Sequence, residues 1–218
     1  MRLNTSLGCA ALFALTLPAT AEAQIFWRNP DVSGLPLNGY EAGIGVPLPG
    51  ATMAEQKAAI VWNMRSGLNV AALQCAFEPT LRTLQNYNAI LNDHSVELKA
   101  AFNTLTGYFK RTNKTAAAGQ KALDSYGTKT YSSFSTVGAQ LGFCQAASRV
   151  GRIALFTPKG RFITMSEEHL RELRNSLIAQ GEQQFRWARP YRMASTPRFT
   201  EDKCWKKNKY IVSCGYES

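Results

Sequence analysis

The chain has 218 residues, with 25 Lys and Arg against 15 Asp and Glu, a formal charge of +10, and 45% hydrophobic composition. Such a composition argues against a disordered chain, and the length suits one domain with a sizeable core. The charge is uneven: residues 186–218 carry eight Lys and Arg against three Asp and Glu, half of the whole excess, a pattern that favours acidic partners and salt-sensitive association.

The first residues hold one Arg, an apolar run from Leu7 to Leu17, and small residues at Ala21-Glu22-Ala23. That order predicts a secretory signal peptide over residues 1–23, cleaved between Ala23 and Gln24. Cys9 lies at the start of the apolar run, whereas a lipid-bearing Cys follows it. Beyond residue 23 no apolar stretch reaches the ~18 residues that crossing a bilayer takes, so no transmembrane segment is expected and the mature chain is placed in a periplasm or outside the cell. Four cysteines remain, Cys75, Cys144, Cys204 and Cys214, an even count that reads as two disulfides in an oxidising compartment.

From Gln24 to Gly50, nine of 27 residues are Gly or Pro, which predicts an irregular arm over residues 24–51. Its Phe26, Trp27 and Tyr40 suit a strap laid against the domain. The "GIGVPLPG" segment is no dinucleotide loop, since no strand precedes it and Pro47 and Pro49 stand where a helix would begin.

A helical bundle is expected over residues 52–185. "TMAE" forms a capping box, Thr52 with Glu55, and opens a helix that buries Ile60, Met64, Leu68, Ala71 and Cys75 and runs to about Phe77, with Gly67 as its weak point. A second, unbroken helix follows from the spacing of Leu81, Leu84, Asn88, Leu91, Ser95, Leu98, Phe102, Leu105 and Phe109. A third starts after Thr115, with Leu123, Gly127, Thr130, Phe134, Val137, Leu141, Cys144 and Ser148 on its seam. "TMSEE" supplies another capping box, Thr164 with Glu167, for a shorter helix burying Leu170, Leu173, Leu177 and Ile178. The fold class is all-α, an up-and-down bundle of three long helices and one shorter one. Cys75 and Cys144 fall on two seams, each near the C-terminal end of its helix, so their pairing makes the first and third helices neighbours that run roughly parallel; Cys204 is left to pair with Cys214.

Signatures of common chemistries are missing: there is no H-E-x-x-H, C-x-x-C, C-x-x-C-H, G-x-S-x-G, S-x-x-K or G-x-x-x-x-G-K. No catalytic residue, metal ligand or cofactor is assigned. His94, with Asp93 and Glu97 nearby, offers either a poised histidine or a boundary residue with an acidic neighbour. Asn88, Ser95 and Thr130 read either as a polar pocket or as register-fixing seam residues. His169 is expected to face water.

The basic aromatic tail, residues 186–218, interleaves Arg186, Arg189 and Arg192 with Trp187 and Tyr191, then places Trp205, Lys206, Lys207 and Lys209 inside a loop or hairpin closed by Cys204 and Cys214. Arg and Lys pair with anionic groups while aromatic faces supply contact area. These nine residues are the candidate binding residues. The function read from the sequence is an exported, non-enzymatic accessory protein of the cell envelope that contacts an anionic component or another envelope protein through its tail, with no nucleic acid expected. The alternative is a periplasmic enzyme or small-ligand carrier using a polar site near His94.

Overall fold

A computed structural model describes residues 30–135, 138–179, 196–198, 201–214 and 216–217. The expected signal peptide lies outside these residues. The chain is mostly helical, with six helices among the described residues: α1 Met53–Gln74, α2 Thr83–Asp93, α3 Ser95–Thr112, α4 Ala116–Ser132, α5 Gln140–Phe156 and α6 Phe162–Asn175.

Helix α1 begins at the expected capping box, where Thr52 Oγ1 accepts from the Glu55 N–H and Glu55 Oε2 accepts from the Thr52 N–H at 2.8 Å. It buries Ala59, Ile60, Val61, Met64, Leu68 and Ala71 on several faces. A helix apolar all round must be enclosed, and all five other helices pack against it. Gly67 serves this enclosure: a Cβ there would stand 2.7 Å from Leu173 Cδ2 of α6 and 2.8 Å from the Phe134 ring. Gly67→Ala, which improves helix propensity, should therefore destabilise the fold by about 1–3 kcal/mol through overpacking, measured as a lower midpoint in urea. A gain in stability would show that α6 and Phe134 can yield.

The predicted second helix is two. His94 departs from helical geometry at φ −110°, ψ 20°, while His94 N–H to Ile90 O and Leu98 N–H to His94 O bonds of 3.0 Å carry the ladder across the bend. Helix α2 buries Thr83, Asn86, Tyr87 and Ile90, leaving Leu84 half exposed and Asn88 in solvent. The reason is close packing against α5, where a Cβ on Gly151 would already stand 3.4 Å from Asn86 Cβ. Asn86 fits that approach where a leucine would not.

The third predicted helix also divides, because the chain turns after Ser132. Ser133 Oγ donates to Thr130 O, the Phe134 N–H donates to Tyr131 O, and the Phe134 ring drops fully into the core. Val137 lies outside the described residues, and Leu141 is exposed at the start of α5. Helix α6 starts at Phe162, ahead of Thr164 and Glu167, and ends before Ile178, which is exposed. Its cap comes from another helix: Glu97 Oε1 of α3 accepts from the Phe162 N–H at 2.8 Å.

Cys75 and Cys144 join the end of α1 to α5 with Cα atoms 5.6 Å apart, and both are buried; Cys144 stands near the start of α5 rather than near a helix's C-terminal end, because the expected third helix divides ahead of it. The strap then completes the core. Leu37 and Ile44 are buried, the Leu37 N–H donates to Glu167 O, Arg171 Nε donates to Leu35 O, and Tyr108 OH donates to Pro49 O. Arg111 reaches from α3 to Glu55 at 2.6 Å and to Gly50 O, tying the strap's end to the first turn of α1.

Candidate anion-binding hairpin

Near the C-terminus, β1 (Thr196–Pro197) pairs antiparallel with β4 (Tyr216–Glu217), and β2 (Trp205–Lys206) with β3 (Lys209–Tyr210). Lys207 and Asn208 join β2 to β3 with φ of 49° and 61°. Two successive positive-φ residues are the signature of the two-residue turn whose twist matches a hairpin. The segment expected as a loop or hairpin between Cys204 and Cys214 is thus a hairpin, in which only Lys209 and Tyr210 extend as strand after the turn; Val212–Cys214 coils into a 3₁₀ turn. Cys204 is buried and bonded to Cys214, with Cα atoms 5.7 Å apart, and the Ile211 N–H closes onto Cys204 O at 2.8 Å.

The register sorts the side chains. Trp205 stands opposite Tyr210, with ring centroids 5.7 Å apart and edge to face, and Lys206 stands opposite Lys209. Because successive strand residues point to opposite faces, the aromatic pair occupies one face and the lysine pair the other, with Lys207 at the tip. All three lysines are exposed. Lys203, by contrast, is engaged by Glu201 at 2.7 Å, and Arg198 by the same carboxylate at 3.4 Å. Hydrogen bonds and charge from Lys203 and then Arg198 hold the Glu201 carboxyl below its ordinary value, so it stays anionic and occupied with the base of the hairpin.

This arrangement is locally unfavourable. Like charges directly across a strand pair repel, and a lysine at positive φ occupies a place that Gly or Asn takes with less strain. Of the nine candidate residues, the structure brings Lys206, Lys207 and Lys209 together and puts Trp205 on the other face; Arg186, Trp187, Arg189, Tyr191 and Arg192 lie outside the described residues.

The His94 region is built as a joint between helices. The ring is buried, Nδ1 is 2.8 Å from Glu97 Oε2, Nε2 is 3.2 Å from Ala154 O of α5, and the Phe162 ring lies 4.8 Å away. Both nitrogens face acceptors inside the protein. Burial opposes the charge on Glu97, but hydrogen bonds from His94 and from the backbone of Gly160 and Phe162 outweigh it and hold the carboxyl below its ordinary value. Asn88 and Ser95 are exposed, and Thr130 Oγ1 donates to Tyr126 O within its own helix. These three do not converge on a pocket. His169 is half-buried rather than solvated, 3.4 Å from Glu172, which also binds Arg149.

A second polar cluster escaped the sequence reading. Asn63, fully buried in α1, donates to Tyr40 OH of the strap at 3.1 Å and to Tyr126 OH of α4 at 3.2 Å, and accepts from Arg174 of α6 at 2.7 Å. Arg174 also donates to Ser133 O and Oγ and lies 3.6 Å from the Phe134 ring centroid. Burial pushes Arg174 down to about 10 and raises the Tyr40 and Tyr126 hydroxyls above their ordinary value. The one signal available was a lone Asn in the apolar run "AAIVWNM".

No helix among the described residues is long and apolar enough to cross a membrane. No family model, curated protein or solved structure matches this chain.

Proposed function

We propose that the chain is an exported, non-enzymatic protein of the cell envelope that docks onto an anionic surface through the lysine face of its C-terminal hairpin. The observation that carries this reading is the placement of Lys206 against Lys209 with Lys207 at the turn, on a disulfide-closed hairpin. A fold that concentrates like charge at a strained turn forgoes some stability there, and such local inconsistency is expected where a surface meets a ligand. Two disulfides accord with an oxidising compartment. The rival reading, an enzyme or ligand carrier at a polar site near His94, has less support because both ring nitrogens are engaged.

The test is co-sedimentation of the protein with vesicles containing anionic lipid and with purified peptidoglycan, at low and high salt. Each basic side chain near an anionic membrane strengthens binding about fivefold, so the K206Q/K207Q/K209Q variant should bind anionic vesicles roughly a hundredfold more weakly. Binding equal to that of the unaltered chain would remove the hairpin from the account.

A further inference from the structure

An open cleft of about 550 Å³ lies between the strap and the α3–α4 hairpin. Leu48 and Pro49 form the strap wall, Phe109 and Tyr126 the aromatic floor, and Ala122 and Lys129 the α4 side. Phe109 and Tyr126 are buried, with ring centroids 5.4 Å apart. The polar groups of the floor are already spoken for: Tyr126 OH accepts from Asn63, and the Asn113 amide donates to Phe109 O. Lys129 is exposed, is the one charged side chain among the described residues lining the cleft, and has no ion pair with a described residue.

Small-molecule sites are concave, about 300–1,000 Å³, and mostly apolar, with a few polar groups that orient the ligand. This cleft has that volume, an apolar strap wall and an aromatic floor, the neutral polar side chains of Thr112, Asn113 and Ser125 beside them, one cation at its rim and no carboxylate in its lining. We infer that it binds a small monocarboxylate with an apolar body, the body lying on Phe109 and Tyr126 between the strap and α4 and the carboxylate paired with Lys129 Nζ. A cationic ligand would meet Lys129 as a like charge. A neutral one would leave the ammonium without a counterion. The site lies apart from the polar region expected near His94, and it is independent of the lysine hairpin.

A smaller cleft between α1 and the α2–α3 bend, lined by Trp62, Phe102, Arg65 and Lys99 among others, holds about 280 Å³ and supplies an internal control.

The test is calorimetric titration of the whole protein with decanoate and with 2-naphthoate, the acyl and aryl forms of this chemistry, beside 1-decanol as a neutral counterpart. At least one carboxylate should bind saturably, and decanol about tenfold or more weakly, the ratio that about 1.4 kcal/mol of lost attraction gives. K129E should weaken carboxylate binding at least about tenfold on the same scale and leave decanol unchanged, whereas K99E should leave both unchanged. A122W, which fills the cleft, should abolish binding, and circular dichroism separates a blocked site from an unfolded chain; should A122W unfold, K129E and K99E decide the matter. The inference is overturned if neither carboxylate binds, if decanol binds as well as the better acid, if a folded A122W binds normally, or if K99E rather than K129E removes binding.

Discussion

The C75A/C144A variant should unfold about 8–16 °C below the unaltered chain. The bridge spans a sequence separation of 69 residues, and on the chain-entropy model closing a loop of that size stabilises the native state by about 4 kcal/mol. At this chain length each kcal/mol corresponds to about 2–4 °C in Tm. Alanine is the informative replacement because both sulfurs sit in the buried junction of α1 and α5, where serine would add unpaired hydroxyls to the loss of the cross-link. Thermal unfolding followed by circular dichroism measures the shift. A Tm within a few degrees of the unaltered chain would mean that the unfolded chain keeps residual structure that already restricts it as the bridge does.

Glu97→Ala is expected to lower stability by about 3 kcal/mol, the scale of losing hydrogen bonds made to a charged group. That single carboxylate holds His94 at the bend between α2 and α3 and caps α6 through Phe162, so its removal loosens two helix junctions together. Its pH signature has a definite sign. The folded-state carboxyl lies below its ordinary value of 4.5, so its contribution is present above that value and is lost as pH falls through the lower folded-state value. Unfolding free energies from urea curves, taken from pH 7 down to pH 3, should fall more steeply for the unaltered chain than for E97Q below pH 4.5. Parallel curves would show that Glu97 is no better held in the folded chain than in the unfolded one.

Local signals were legible where the interactions are local. The Thr52 and Glu55 box begins α1 because both of its hydrogen bonds close within four residues. The pairing of Cys75 with Cys144 followed from two seam positions, and the lysine hairpin from the two cysteines that close it. Apart from the Cys75–Cys144 bridge between residues 69 apart, what failed depends on residues far apart in the chain. Thr164 and Glu167 have capping-box spacing, yet α6 starts earlier because a carboxylate 65 residues upstream satisfies the Phe162 N–H. The leucine spacing through Leu84 and Leu91 was regular, yet α2 turns Thr83, Asn86 and Tyr87 inward because α5 offers Gly151 to Asn86. The break after Ser132 rests on Phe134 finding Gly67 and Arg174 across the core, contacts that no periodicity encodes. At the candidate site the residue types were apparent from the sequence, but the separation of the Lys206 and Lys209 face from the Trp205 and Tyr210 face required the register of a two-residue turn.

The central claim, that the hairpin lysines make this an anion-docking protein, is tested most directly by the salt dependence of binding to anionic vesicles for the unaltered chain and for K206Q/K207Q/K209Q. Exposed charges are screened within about 8 Å at physiological ionic strength, so binding by the unaltered chain should weaken steeply as salt rises, and the variant should bind weakly with a much flatter dependence. Equal slopes and equal affinities for the two proteins would contradict the claim, since the attraction would then come from elsewhere in the chain.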